Sequence, residues 1–267
     1  MAHNLDTEQF AASVNKLPIA QLALNDLRAG KLTLGQQLSW PASDVRAGAG
    51  VYDQADAPTQ ASVQDLLYDM LNRSGNTAVR VFVNQAMGGA VAVNERFKAE
   101  LGLQHTYLQP LDGNRFYVGN TTAREAMKNM QSLLGGDDQY QQLVRNALAT
   151  NIYGDYGVRS QLAGNDYIVL ANKVGILDDP EGNNRHDVGL IYNTKTHKSY
   201  GYAFMNTAQG EAYNAATSQA GVSLADMGKG ALRYAGDKAP KPQDQATLDA
   251  QTQELRLTAP EGRRVQY

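Results

Sequence analysis

Ser13 and Lys16 stand three residues apart in Phe10-Ala-Ala-Ser-Val-Asn-Lys-Leu-Pro-Ile-Ala20, the polar head of an apolar-periodic segment. A serine hydroxyl is a poor nucleophile until a base takes its proton. A lysine desolvated in a pocket can be that base, because burial lowers its pKa. Residues at i and i+3 share a helix face, so this spacing can set the amine beside the hydroxyl. S-x-x-K also arises by chance in many helices, as a polar start over a core face. The pair therefore gains meaning only from what accompanies it.

The elements that must position the pair follow from periodicity and punctuation. Val14, Leu17, Leu24 and Leu27 recur at helical spacing, and Gly30 marks the stop. Trp40 to Pro58, with Ala47-Gly-Ala-Gly-Val-Tyr52, reads as loop. Helices are expected over Ser62–Leu71, Thr77–Gln85 and Ala90–Leu101. Gln104 to Gly119, with Pro110 and Asp112-Gly113-Asn114, reads as loop. Thr122-Ala-Arg-Glu125 fits a capping box opening a helix through Met127, Met130 and Leu134, and Gln139–Ala149 is another helix. The pattern then changes. Tyr167–Leu170 predicts a strand, and His186–Tyr192 with Ser199–Met205 predicts an antiparallel hairpin around the polar turn Asn193–Lys198. Leu224–Tyr234 reads as helix, Gly236–Pro242 as a linker and Gln243–Gln253 as helix. Glu254–Thr258 and Arg263–Tyr267 read as a last hairpin. Helices around a mostly antiparallel sheet make the fold class α+β.

Composition bounds the chemistry. The 267 residues are 42% hydrophobic and 19% charged, ordinary for a soluble globular chain with a large core. A net charge of −3 gives no electrostatic case for nucleic acid or an anionic membrane. With no cysteine, thiolate metal sites and cysteine nucleophiles are excluded. No apolar run is long enough to span a bilayer, and Met-Ala-His-Asn is not a signal peptide. The four histidines, His3, His105, His186 and His197, lack a G-x-S-x-G elbow to complete a Ser-His-Asp triad, and His186-Asp187 reads as a structural hydrogen-bonded pair. The fourteen tyrosines are dispersed, and packing is their default role.

Three short motifs stand in order: Ser13-Val-Asn-Lys16, Ser74-Gly-Asn76 and Lys173-Val-Gly175. S-x-x-K, S-D-N and K-T-G are the signature of class A β-lactamases and penicillin-binding proteins. The first is intact here, and the other two each differ in the middle residue. Ala11-Ala-Ser-Val14, Asn76-Thr-Ala78 and Arg185-His-Asp-Val-Gly-Leu-Ile-Tyr192 strengthen the resemblance, which covers nearly the whole chain. One feature departs from the family: its S-x-x-K helix follows a strand pair, whereas Ser13 lies near the start of this chain. Reading Tyr267 directly into Ala2 restores such a pair, which implies a circular permutation, with 243–267 supplying the first helix and strand pair.

The resemblance implies a five-stranded antiparallel sheet flanked by helices plus an all-helical subdomain, in a single domain over 1–267. The helical part would be 32–150. The α/β part would be 1–31, 151–236 and 243–267, with 237–242 joining the original termini. By the same resemblance Ser13 is the acylated nucleophile, Lys16 its proton acceptor, Ser74 the shuttle to the leaving nitrogen and Lys173 the positive charge beside them. Asn76, Gly175 and Ile176 form the substrate-binding set, with the N–H groups of Ser13 and Ile176 as the oxyanion hole. Gly75 matters little if that side chain points away from the pocket. Val174 removes a hydroxyl that helps hold the substrate carboxylate. The family's deacylating glutamate has no counterpart between Thr106 and Thr122, and Asp112, which equally makes a turn with Gly113, is its only substitute there.

The expected function is thus a serine hydrolase acylated by a β-lactam or peptidoglycan-like peptide, with impaired deacylation. The alternative is a non-catalytic module with a remnant site. The resemblance further implies a monomer with no cofactor, metal, nucleic-acid or membrane partner, working outside the cytoplasm.

Overall fold

The structure, a computed structural model, describes residues 4–112, 114–153, 158–159, 166–179 and 182–208. In chain order its elements are β1 (Gln9–Phe10), α1 (Lys16–Arg28), β2 (Gln37–Ser39), β3 (Gln60–Ser62), α2 (Val63–Asn72), α3 (Asn76–Val81) and α4 (Ala90–Leu101). Then come β4 (Leu108–Pro110), β5 (Phe116–Val118), β6 (Asn120–Thr121), α5 (Ala123–Leu134), α6 (Gln139–Ala149), β7 (Tyr167–Asp179), β8 (Gly182–Asn193) and β9 (Lys198–Ala208). A 3₁₀ turn, Ala12–Asn15, leads into α1, and a π-helical turn, Phe82–Ala86, prolongs α3.

Helix α1 is the axis of the core. The sequence suggests one apolar stripe, but every residue from Lys16 to Leu24 is buried. The reason is that α2, α4, α5 and α6 all pack against it, leaving no solvent face. Leu17, Ile19, Leu22 and Leu24 have no exposed surface. Truncating any one of them to alanine would cost about 2–5 kcal/mol. Pro18 falls in the first turn, where its missing N–H has no intrahelical partner to lose. Gly30, with φ of 69°, takes the left-handed position that ends the helix.

The expected helices over 62–71, 90–101 and 139–149 are present, α4 with the expected ends. Thr122 caps α5 by accepting the Glu125 N–H at 3.2 Å. The other half of the capping box is diverted. Glu125 turns its carboxylate to the N–H groups of Gln104 and His105 and the Thr106 hydroxyl, pinning the chain before β4.

The expected loop over 104–119 is instead a short antiparallel hairpin, β4 against β5, with Leu108 opposite Val118. Three-residue strands interrupted by Pro110 carry too little alternation to be read. Asn94 stabilises the hairpin from outside, donating to the Leu108 carbonyl and accepting its N–H. Between residues 32 and 150 the described elements are α2 to α6 and the short ribbons β2–β3 and β4–β5, and β6 pairs back to β1.

The described residues contain a three-stranded antiparallel sheet, β7-β8-β9, with α5 and α6 packed on it. Lys173-Val-Gly175 lies in the middle of β7, beyond the Leu170 end expected for that strand. A register shift between Val169 and Ala171 re-aims the residues that follow. The helices read over 224–234 and 243–253, the 237–242 linker, the 254–267 hairpin and the rewired continuity from Tyr267 to Ala2 lie outside the described residues. Among the described residues no helix is long and apolar enough to cross a membrane.

His186 and Asp187 are buried in the middle of β8, not at its start, and are not paired with each other. Consecutive strand residues point to opposite faces. His186 Nε2 donates to the Phe10 carbonyl at 2.7 Å while Nδ1 accepts the Asn206 N–H at 3.1 Å, which fixes a neutral ring. Asp187 accepts from the Val158 N–H, Asn172 Nδ2 and the Tyr202 hydroxyl. Burial, partly offset by these donors, raises the Asp187 pKa to about 6.

Burial pushes the His186 pKa down to about 4. Unfolding frees this ring to protonate near its ordinary 6.5, so the unfolded chain binds the extra proton between those values. The stability His186 contributes is full above pH 6.5 and is lost as pH falls through 4. The loss is about 3 kcal/mol. In urea melts at pH 7 and pH 4.5, His186→Gln is expected to shrink the wild-type loss by most of that amount. An unchanged pH dependence would refute this origin.

Candidate active site

The 3₁₀ turn places Ser13 on the rim of a cleft of about 390 Å³ and Lys16 at its floor. Residues three apart eclipse in a 3₁₀ turn, so the amine and hydroxyl meet more directly than in an α-helix. The Lys16 Nζ lies 3.1 Å from Ser13 Oγ, 2.9 Å from Ser74 Oγ and 2.9 Å from Asn76 Oδ1, and it also meets the Ser74 carbonyl. Lys173 Nζ lies 3.1 Å from Ser74 Oγ and 2.7 Å from the Val174 carbonyl. A continuous chain of polar contacts thus runs from Ser13 at the cleft, through Lys16 and Ser74, to Lys173, which is 1% exposed.

This crowding constrains protonation. An ammonium has three donors, yet four acceptors surround Lys16 Nζ. If both lysines were cations, the Ser74 hydroxyl would accept from each and find no acceptor for its own proton among these partners. Burial lowers the Lys16 pKa to about 7, against the opposing pull of the Asp53 and Asp69 charges. Burial, followed by the Lys16 charge, also holds the Lys173 pKa well below its ordinary value. A neutral Lys16 can accept the Ser13 proton and still donate to the Ser74 and Asn76 oxygens.

Two backbone positions beside this chain of contacts are unusual. Ala12 and Ser74 both have positive φ, 45° and 61°, conformations that non-glycine residues adopt at a cost and that cluster at functional sites. Gly175, expected to bind substrate, is buried and does not line the cleft. A Cβ there would come within 3.1 Å of Val14 Cγ2 and 3.3 Å of the Ala11 carbonyl. Glycine lets β7 press against the turn that carries Ser13. Ile176 does line the cleft, beside Ser13. Val174 is 3% exposed and does not line it.

Asn76 is turned toward Lys16 by its other end, since Nδ2 donates to the Ala47 carbonyl at 2.8 Å. Asp112 is not brought to the site. It is exposed at the β4–β5 turn, where the Leu111 N–H donates to the Arg115 carbonyl and the Asp112 carbonyl accepts from Arg115 Nε. Among the described residues, every charged side chain lining the cleft is basic: Lys16, Arg46, Arg80 and Arg115.

Gly75 proves constrained by space. Its φ of −53° suits any residue, but a Cβ would lie 2.0 Å from Asp69 Oδ2. Two carboxylates absent from the motif reading surround it. Asp53 accepts the N–H groups of Gly50, Asn76 and Thr77, capping α3, and Asp69 accepts the Val51 N–H. Burial raises the Asp69 pKa to about 6. The signal that could have found them was the glycine-rich loop. A Cβ on Gly48 would meet Asp53 Oδ2 at 2.3 Å, and one on Gly50 would meet Asp69 Oδ2 at 2.6 Å.

The sequence profile described as the Beta-lactamase enzyme family matches residues 1–228. No curated protein sequence matches the chain. Among solved structures, a mutant of PBP-A in acyl-enzyme complex with penicillin G is similar at TM-score 0.72 and 19% identity. That match covers 89% of this chain and 85% of the other. A class A β-lactamase from Mycobacterium abscessus is similar at TM-score 0.70 and 22% identity, covering 88% of each chain. A β-lactamase from Burkholderia vietnamiensis is similar at TM-score 0.69 and 21% identity, covering 86% of this chain and 85% of the other. Identities this low show a shared fold alone.

Proposed function

The chain belongs to the Beta-lactamase enzyme family, and from that premise we propose that it is a serine hydrolase acylated at Ser13 by β-lactams or related acyl donors and deacylated slowly. The single observation that carries the reading is the chain of contacts from Ser13 Oγ through Lys16 Nζ to Ser74 Oγ. Ser13 Oγ attacks the lactam carbonyl and its proton passes to the neutral Lys16 amine. As the C–N bond breaks, the proton reaches the leaving nitrogen through Ser74. The N–H groups of Ser13, in the first turn where no helical acceptor is available, and of Ile176 serve the oxyanion. Of the solved relatives, the PBP-A mutant carries penicillin G as an acyl-enzyme.

Slow deacylation is supported by the lining of the cleft. Among the described residues no aspartate or glutamate lines it to activate water, Asp112 included. A missing general base costs about 10²–10⁴-fold in rate. The non-catalytic reading loses ground, because Asp53 and Asp69 supply carboxylates where Gly75 has none.

Intact mass after incubation with benzylpenicillin is the test. A one-equivalent adduct is expected, absent in Ser13→Ala and persisting after free drug is removed. Asp112→Ala is expected to leave its lifetime unchanged. Rapid turnover without adduct would refute slow deacylation, and neither adduct nor turnover would refute β-lactam chemistry.

A further inference from the structure

Three arginines from three separate segments converge on the cleft: Arg46 from the glycine-rich loop, Arg80 from α3 and Arg115 from the hairpin. In a protein of net charge −3, this concentration is not a reflection of composition. Arg80 is 7% exposed, with its guanidinium 5.3 Å from the Phe116 ring centroid. Among the described residues the carboxylate it pairs with, Asp44, is 3.9 Å away and already accepts from Asn84 and Gln85. Arg46 and Arg115 are exposed, and among the described residues neither forms an ion pair with a carboxylate. Burial lowers the Arg80 pKa, and the nearby Arg46 and Arg115 charges lower it further against the pull of Asp44. Like charges gathered beside an apolar wall cost stability, and an anion entering the cleft relieves that cost.

From this cluster we infer that the arginine wall is a subsite for an anionic group, and that the preferred acyl donor carries a second carboxylate beyond the one every penicillin has. Planar guanidinium groups bind carboxylates in bidentate fashion, and the partly buried Arg80 gives the subsite a fixed anchor. The inference rests on the acylation reading. The chemical step itself is unchanged: an ester bond forms to Ser13 Oγ, the lactam C–N bond breaks, and the nitrogen takes the proton.

The test compares benzylpenicillin with carbenicillin, its derivative bearing one added side-chain carboxylate. Second-order acylation constants come from intact mass at low and high salt. Carbenicillin is expected to react about tenfold faster at low salt, with the advantage shrinking at 0.5 M salt to about threefold or less. The advantage is also expected to vanish in the double variant Arg46→Gln/Arg115→Gln, whose side chains are exposed and carry little of the fold. A neutral and a carboxylated thioester of one acyl chain separate a preference for anionic acyl donors at large from one confined to β-lactams. Equal or faster reaction with benzylpenicillin overturns the subsite while leaving acylation intact. Absence of any adduct is resolved by binding to Ser13→Ala. Tighter binding of carbenicillin sustains the subsite without acylation, and equal or no binding overturns it.

Discussion

Replacing Lys16 by methionine is expected to slow acylation of Ser13 by about 10³-fold, the range associated with loss of a positioned general base. Among the described residues the amine is the only basic nitrogen within hydrogen-bond reach of the Ser13 hydroxyl, and at 3.1 Å no water chain need intervene. Its pKa near 7 sets the pH dependence. Below pH 7 the amine is protonated in the folded protein and cannot take the hydroxyl proton, so acylation should fall about tenfold per pH unit. Above 7 the rate should level off. Methionine removes that dependence as well as the rate. Removing a costly buried amine and leaving the Ser74 and Asn76 acceptors unpaired oppose each other, so the melting temperature should move little. The expected result is therefore a folded protein, by circular dichroism, that labels very slowly and without inflection near pH 7. Acylation within tenfold of wild type would assign the base elsewhere.

The Ser13–Lys16 contact was readable because it is local: three residues of spacing become one shared face. Ser74 reaches Lys16 across 58 residues, and Lys173 reaches Ser74 across 99. No periodicity encodes such distances, and only the resemblance of the ordered motifs placed them together. Gly175 and Asp112 show the limit of that route. A motif assigns a residue to a site, but backbone packing decides whether it faces substrate, and Gly175 faces the Ser13 turn instead. The helices with strong stripes were legible to within a residue or two. The 108–118 hairpin was not, since its order comes from Asn94 and Glu125, partners outside the strands. The arginine wall escaped for the same reason as Asp53 and Asp69: each member is unremarkable in its own segment, and their meaning arises only where the segments converge.

Gly75→Asp, the change that would restore the family's S-D-N motif, is expected to destabilise the protein by about 3 kcal/mol or more rather than improve it. Glycine is not needed here for a left-handed backbone, since its φ is −53°. It is needed because Asp69 Oδ2 occupies the place of the Cβ, at 2.0 Å. That contact is with a carboxylate anchored to the Val51 N–H, beside Asp53, so neither acid has free room to withdraw. The new side chain would add an unpaired negative charge to two existing ones. For a domain of this size the melting temperature should fall by roughly 6–12 °C. Because Asp69 holds its proton up to about pH 6, the penalty should grow as pH rises from 5 to 8 and the two carboxylates come to repel. Removing the obstacle should relieve the clash. Asp69→Ala alone leaves the Val51 N–H unpaired and destabilises, yet Asp69→Ala/Gly75→Asp should be more stable than the sum of its parts by about 1 kcal/mol or more. Additive behaviour, or a Gly75→Asp protein as stable as wild type, would show that space and charge around Asp69 do not hold this position to glycine.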